Sequence, residues 1–129
     1  MTVAEGGQSF TRYQLPVLLW ALIIFVTSSI PSDELPKLDI FRFDKLIHSV
    51  VFFVFCALTH RAIRFQDKLP RLAKHQLVFS VVITVIYGLL DEIHQYFVPG
   101  RQSSVIDLSA DALGGLLYVG LVWLRERSH

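Results

Sequence analysis

The sequence has little charge and almost no cysteine. Charged residues make up 18% of its 129 positions, whereas hydrophobic residues make up 53%. A soluble domain needs more charge to cover its surface, so this composition excludes an ordinary water-soluble protein and indicates a membrane as the solvent. The single cysteine, Cys56, lies in an apolar run, which excludes an intramolecular disulfide and predicts a packing role.

Several common functional motifs are also missing. The sequence contains no Gly-rich phosphate loop, no paired-cysteine zinc motif, no HExxH pair and no serine elbow. The net charge is +1, and no basic helix carries interleaved aromatic residues, so nothing predicts a nucleic-acid partner. We therefore predict no cofactor and no nucleic acid, and the sequence leaves the oligomeric state open.

Four apolar stretches are present, and each can cross a bilayer as a helix. The predicted spans cover approximately residues 13–30, 45–63, 76–97 and 104–124, which gives an all-α bundle of four transmembrane helices in a single domain, 1–129. The third span reaches full length only if Asp91, Glu92 and Gln95 are tolerated in it, because its purely apolar part ends at Leu90.

The basic residues predict the orientation, since Lys and Arg near short loops stay on the cytoplasmic side. With both termini inside, eight basic residues lie on the inner side and four on the outer side, the latter being Lys37, Arg42, Lys45 and Arg101. This bias predicts a multi-pass protein of the cell inner membrane with cytoplasmic N and C termini.

Polar residues within the spans gather at the predicted outer side. Helical spacing puts Asp44 with His48, Glu92 with Gln95, and Asp107 with Asp111 on shared helix faces. Because the second and fourth spans run inward and the third runs outward, the three pairs reach a similar depth. Intramembrane carboxylates are costly, so they usually face the bundle interior and serve a function. The pattern predicts a polar site near the extracytoplasmic face.

Each of these residues has a role in the predicted site. Glu92, His48 and Asp107 are the candidate catalytic residues, since neighbouring carboxylates and an imidazole suit proton transfer. The candidate substrate-binding residues are Arg101, Gln95, Asp44 and Asp111. Arg101 is suited to a phosphate or carboxylate. The predicted ligand is an anionic or lipid-linked head group of a membrane lipid.

Structural alternatives exist for most of these residues. Asp44 would cap the second span, and Ser104 with Asp107 fits a capping box at the start of the fourth. Arg101 and Glu92 would form a structural ion pair, and His48 would be a hydrogen-bonding core residue. The other four histidines are predicted at the surface or in loops: His60, His75, His94 and His129. Ala110, Gly114, Gly115 and Gly120 predict close helix packing.

The order of these residues resembles the VanZ-like family of small membrane proteins, named for a member associated with resistance to teicoplanin. The resemblance rests on the ordered set Ser28-Ser29-Ile30-Pro31, Asp44-Lys45 with His48, Tyr87-Gly88 with Glu92 and Gln95, Pro99-Gly100-Arg101, and Asp107, Asp111 and Gly114. The family pattern often has Asn at Asp111 and a Gly near Tyr118, so this site is more acidic. The resemblance implies an integral membrane protein of the cell envelope, with Asp44, His48, Glu92, Gln95, Arg101 and Asp107 as the matching polar positions, and supplies no reaction.

Four functional hypotheses follow. The first is a site that binds or processes a phosphate-bearing head group, and a variant of it is a zinc or manganese site at His48, Glu92, Asp107 and Asp111. A non-catalytic protein that acts through a partner is the main alternative. Transport ranks last, because the inner halves of the spans lack a polar path.

Overall fold

The computed structural model describes residues 9–34 and 44–129, which form helices and no strand. Helix α1 runs over Phe10–Ser28, with a π-helical start at Phe10–Gln14, and a short 3₁₀ turn follows at Ser32–Glu34. The later helices are α2, Asp44–Arg64; α3, Pro70–Lys74; α4, Gln76–Tyr96; and α5, Val105–Arg127. Lys37 and Arg42, two of the four basic residues assigned to the outer side, lie outside the described residues.

The prediction of an all-α fold with four transmembrane helices is confirmed. Helices α1, α2, α4 and α5 have 19, 21, 21 and 23 residues and are apolar enough to cross a membrane. Their ends lie close to the predicted spans, and α4 continues through Asp91, Glu92 and Gln95 to Tyr96. These three polar residues are buried inside the bundle, which explains how the helix accommodates them.

Aromatic residues join the first three of these long helices. Phe52 and Phe55 of α2 pack with Ile24 of α1, and their rings contact Tyr87 of α4. The Tyr87 hydroxyl donates to the carbonyl oxygen of Ala21 at 2.5 Å, which ties α4 to α1. In a membrane neither packing nor a single hydrogen bond is strong alone, so the two together fix the positions of these helices.

Small residues let α5 approach its neighbours. A Cβ on Gly114 would collide with backbone atoms of Ser49 and Phe53 in α2, and one on Gly115 would lie 3.2 Å from Thr84 in α4. The prediction of packing glycines is confirmed for these two positions and wrong for Gly120, which has open space around it. The predicted packing role of Cys56 is confirmed, since that side chain is fully buried.

The outer surface of the bundle is apolar. Leu18, Leu22 and Phe25 of α1 are all more than half exposed, as are Leu116 and Leu121 of α5. Continuous apolar surface of this kind is rare on soluble monomers. It suits contact with lipid chains, so we treat the protein as a multi-pass membrane protein.

Candidate functional site

The site is built around a histidine and a buried aspartate on neighbouring helices. His48 of α2 lies with Nδ1 2.8 Å from Oδ1 of Asp111 in α5, and the Asp111 side chain is fully buried. When Asp111 is ionised, its carboxylate only accepts hydrogen bonds, and Nδ1 then carries the proton and donates. The other ring nitrogen, Nε2, faces Asp44, which lies one turn earlier in α2. Its distance to Asp44 Oδ1 is 3.6 Å. Asp111 thereby fixes the orientation of the imidazole.

An ion pair closes the same end of the two helices. Lys45 of α2 binds Asp107 of α5 through its ammonium group, and Asp44 lies 3.7 Å from that group. Asp107 is buried, while Lys45 is half exposed. The backbone N–H of Asp107 donates to Ser104 Oγ at 3.0 Å, so Ser104 caps α5 as predicted, whereas the backbone N–H of Ser104 donates to Glu92 and not to Asp107 as a full capping box requires. The cap and the ion pair hold Asp107 in place from both sides.

Glu92 reaches this cluster from α4. Its Oε2 accepts from the backbone N–H of Ser104 at 3.2 Å and from Ser103 Oγ at 3.3 Å. Its Oε1 is buried without a hydrogen-bond partner among the described residues, as is Oδ2 of Asp111. We name these six residues the acidic chamber: Asp44, Lys45, His48, Glu92, Asp107 and Asp111. Four carboxylates face one lysine and one histidine there, so the chamber has an excess of acid.

A second polar group ties α4 to the end of α1. Gln95 Nε2 lies 3.2 Å from Asp91 Oδ2 and 3.2 Å from Ser28 Oγ, and all three side chains are buried. Next to them, His94 Nε2 is 2.8 Å from Ser29 Oγ. These contacts set the position of α4, and therefore of Glu92, against α1.

Arg101 binds the end of α1 instead of a carboxylate. Its Nε donates to the carbonyl oxygen of Ile30 at 2.9 Å, and its Nη2 donates to that of Thr27 at 2.8 Å. Carbonyls at a helix C terminus lack partners within the helix and attract cations, which explains this choice. The predicted ion pair between Arg101 and Glu92 is wrong, because Glu92 binds Ser103 and Ser104.

A cavity of about 420 Å³ opens above the acidic chamber, and we name it the rim cavity. Its lining includes Lys45, His48, Gln95 and Arg101 on different segments. The remaining lining residues are Ser32, Asp44, Gly100, Gln102, Ser104, Ile106 and Asp107. Cationic groups and hydrogen-bond donors therefore surround an opening whose floor is acidic.

Comparison with known protein families identifies the family of this chain. The sequence model of the VanZ/LLP1 family matches residues 8–126, which is nearly the whole chain. The chain belongs to the VanZ/LLP1 family. No curated protein and no solved structure matches it. The family resemblance inferred from the ordered polar residues is thus confirmed.

All seven predicted site residues of this VanZ/LLP1 protein lie at one end of the bundle. Asp44, His48, Glu92, Asp107 and Asp111 belong to the acidic chamber, whereas Gln95 and Arg101 line the rim cavity above it. One ligand atom from each of His48, Glu92 and Asp111 lies within 4.8 Å of the others, and the same holds for Asp44, His48 and Asp107. Helices distant in sequence therefore bring these groups within reach of a single ligand.

Some residues of this VanZ/LLP1 protein have different positions from those predicted. Lys45 was missed as a site residue, although it lies three residues before His48, a spacing that puts the two side chains on one helix face. His60 is not at the surface: it is 6% exposed, and its Nδ1 lies 2.8 Å from the Tyr118 hydroxyl. His94 is half-buried within helix α4, where its Nε2 contacts Ser29 Oγ. His75 and His129 are exposed, as predicted.

Proposed function

We propose that this VanZ/LLP1 protein binds a phosphate-bearing head group of a membrane lipid in the rim cavity and transfers protons at it. In this proposal the protein lies in the inner membrane of the cell envelope, with both termini cytoplasmic and the rim cavity on the extracytoplasmic face. The observation that carries it is the pair formed by His48, at the wall of an open cavity, and the fully buried Asp111 behind it, with Nδ1 and Oδ1 2.8 Å apart.

The cationic groups of the rim support a phosphate ligand. Arg101 uses Nε and Nη2 on backbone carbonyls, which leaves Nη1 for a ligand, and Lys45 is half exposed at the cavity wall. Guanidinium and ammonium groups form the strongest hydrogen bonds to phosphate oxygens. Gln95, Gln102 and Ser104 add polar groups around the opening. In this role Asp107 acts as a positioning residue, because it holds the ammonium group of Lys45.

The pair of His48 and Asp111 supports proton transfer. A carboxylate that accepts from one ring nitrogen fixes the tautomer and leaves the other nitrogen to take or give a proton, as in catalytic histidine sites in general. Nε2 of His48 is that second nitrogen. Glu92 is the second carboxylate near the ring, and its free Oε1 can receive a proton inside the chamber. This geometry can serve hydrolysis or transfer at a phosphate or ester group.

The membrane supplies a place for the lipid tail. Ile106 lines the rim cavity and is 66% exposed, and the neighbouring Val105 is 79% exposed on the same end of α5. A lipid whose head group enters the cavity can therefore lay its chain along an apolar surface. Such a ligand explains why a polar site is built at the end of an otherwise apolar bundle.

Binding can be tested with a simple amphiphile. Purified protein should bind decyl phosphate more tightly than decanol, and Lys45→Gln or Arg101→Gln should weaken decyl phosphate binding about tenfold, since hydrogen bonds to charged groups contribute about 1.5–3 kcal/mol. Isothermal titration measures both. Lys74→Gln, on the exposed helix α3, is the matched control and should bind normally. Equal affinity for the two amphiphiles would contradict the proposal.

A comparison of lipid head groups in cells with and without the protein separates an enzyme from a binding protein. An enzyme must change the pool of lipid head groups in the cells that carry it. If this protein shares the resistance role for which the family is named, those cells should also be less susceptible to teicoplanin. An unchanged pool, together with full function of Glu92→Gln, would favour the alternative: a non-catalytic protein whose polar network is structural and which acts through a partner.

A second candidate function of the acidic chamber is metal binding. Glu92 Oε1 and Asp111 Oδ2 are buried without partners among the described residues, and a divalent cation between them and His48 would satisfy both. One imidazole and two carboxylates suit zinc or manganese. A cation would also offset the excess of carboxylates, which is costly in a medium of low dielectric constant.

Elemental analysis tests this candidate. Protein dialysed against zinc or manganese should retain one ion per chain, and Glu92→Gln or Asp111→Asn should abolish retention, because each removes one of three ligands. Asp33→Asn, an exposed acid beside the same end of the bundle, is the control and should retain the ion. Metal-free protein with undiminished activity would remove metal binding from consideration and leave proton transfer.

A further inference from the structure

A second cavity lies at the opposite end of the bundle, between the C-terminal ends of α2 and α5. Its volume is about 690 Å³, and we name it the basic cavity. Three arginines line it: Arg61 and Arg64 from the last turns of α2, and Arg125 from the last turn of α5. We propose that the basic cavity binds the anionic head group of a phospholipid. This proposal is independent of the function proposed for the rim cavity.

The charge of the basic cavity is not neutralised by the protein. Glu126 has the only acidic side chain in its lining, and within residues 9–34 and 44–129 none of the three arginines forms an ion pair. Lys45 at the other end, by contrast, is bound to Asp107. The helix C termini bring partial negative charge, which favours cations there but leaves guanidinium N–H groups unused. An external anion is the natural partner for three converging arginines.

Aromatic rings hold two of the arginines. The guanidinium of Arg61 lies 5.2 Å from the centre of the Tyr13 ring, and that of Arg64 lies 5.5 Å from the Phe65 ring. Stacking of this kind fixes the plane of a guanidinium while its N–H edges remain available. The cavity therefore presents donors in a restricted orientation, which lowers the entropy lost on binding.

The lining also fits the shape of a lipid. Leu58, Ala57 and Val122 form the part of the wall toward the middle of the membrane, and the arginines lie one to two turns nearer the helix ends. His60 of α2 lies between the two parts, and Tyr118, one turn before Val122 in α5, reaches it with its hydroxyl 2.8 Å from Nδ1. Along α2, this order of apolar, polar and basic lining matches the acyl chain, ester and phosphate of a lipid. Basic pockets between transmembrane helices are known binding sites for anionic lipids.

The alternative explanation is that these arginines only retain their loops on the cytoplasmic side. That explanation treats all basic residues at this end alike, including Arg71 and Lys74 of α3, which are exposed and do not line the cavity. The two explanations therefore differ in a measurable way. Removing two charges from the cavity and removing two charges from α3 change the net charge and the retention signal equally. Only a lipid site in the cavity would make the first pair of substitutions weaken lipid binding more than the second pair.

The test uses nanodiscs of equal parts phosphatidylglycerol and phosphatidylcholine, followed by extraction and native mass spectrometry of the retained lipid. The wild-type chain should retain phosphatidylglycerol, and Arg64→Gln/Arg125→Gln should reduce retention about tenfold or more, because a basic residue contributes roughly fivefold to anionic lipid binding. The control Arg71→Gln/Lys74→Gln should change retention less than about threefold. Bound lipid is measured only on protein that is folded and monodisperse, so that a loss of lipid does not reflect unfolding of a variant.

Either of two results would overturn the proposal. One is an equal loss in the cavity pair and the α3 pair, which would assign the effect to general surface charge. The other is retention of phosphatidylglycerol no greater than that of phosphatidylcholine by the wild-type chain. Inorganic phosphate added as a competitor should leave phosphatidylglycerol bound; displacement of the lipid by inorganic phosphate alone would also overturn the proposal, because the cavity would then select the free anion and not the lipid.

Discussion

Replacing Gly114 with alanine is expected to destabilise the bundle by about 2–3 kcal/mol, because an added methyl group overpacks the contact. A Cβ there meets the Ser49 carbonyl oxygen and lies 2.9 Å from the Phe53 nitrogen, and both are backbone atoms of a continuous helix that cannot move aside locally. Helices α2 and α5 share the most extensive packing among the described elements. The apparent melting temperature in detergent measures the loss.

Gly120→Ala is the matched control for this prediction. It lies on the same helix, and apart from that helix's own backbone and the adjacent residues no atom of the described residues lies within 4 Å of the position that the added methyl group would take. Alanine is better than glycine in a helix by about 1 kcal/mol, so this variant should be as stable as the wild type or slightly more stable. Equal melting temperatures for Gly114→Ala and Gly120→Ala would contradict the close approach of α2 and α5.

Replacing His48 with glutamine is expected to reduce head-group turnover about 100-fold or more while the protein still folds. Glutamine keeps a polar group near Asp111 but cannot cycle between protonated and neutral forms, and general acid–base catalysis contributes about 100-fold to 10,000-fold. The readout is the change in the lipid pool of expressing cells. This prediction rests on the proposed function, and in particular on Nε2 of His48 as the atom that moves the proton.

The control for this variant is His75→Gln, which changes an exposed histidine in the segment between α3 and α4. It should leave the lipid pool of expressing cells unchanged. Melting temperatures of both variants show whether any loss reflects unfolding. Undiminished turnover by well-folded His48→Gln would exclude His48 as the acid–base residue, and proton transfer would then have to depend on Glu92.

The four long helices were predictable because the bilayer imposes their length. An apolar run must be long enough to cross the membrane and must satisfy its own backbone, so each run fixes one helix with little help from tertiary contacts. Helical spacing also predicted that Asp44 and His48 share a face, as do Asp107 and Asp111. These relations lie within one helix, where sequence separation determines geometry.

Contacts between helices were less predictable, because they depend on how each helix is rotated and tilted. Sequence spacing puts Asp111 inside the bundle but does not select His48 as its partner. Arg101 was considered as an ion-pair partner of Glu92 and instead binds the end of α1, since the carbonyl oxygens of Thr27 and Ile30 lie within its reach. His60 was expected at the surface and instead lies with its Nδ1 2.8 Å from the Tyr118 hydroxyl. Nothing in the sequence identifies His60 as the partner of that hydroxyl.

A double-mutant cycle across His48 and Asp111 tests most directly whether polar residues of separate helices meet in one chamber. His48→Phe alone leaves Asp111 as a buried carboxylate without a partner, which is expected to cost about 3–5 kcal/mol. Asp111→Asn removes that charge, so it should destabilise the wild type but stabilise the His48→Phe protein. Melting temperatures of the four proteins give both effects. An equal effect of Asp111→Asn in the two backgrounds would mean that the two side chains do not interact, and the acidic chamber would not exist.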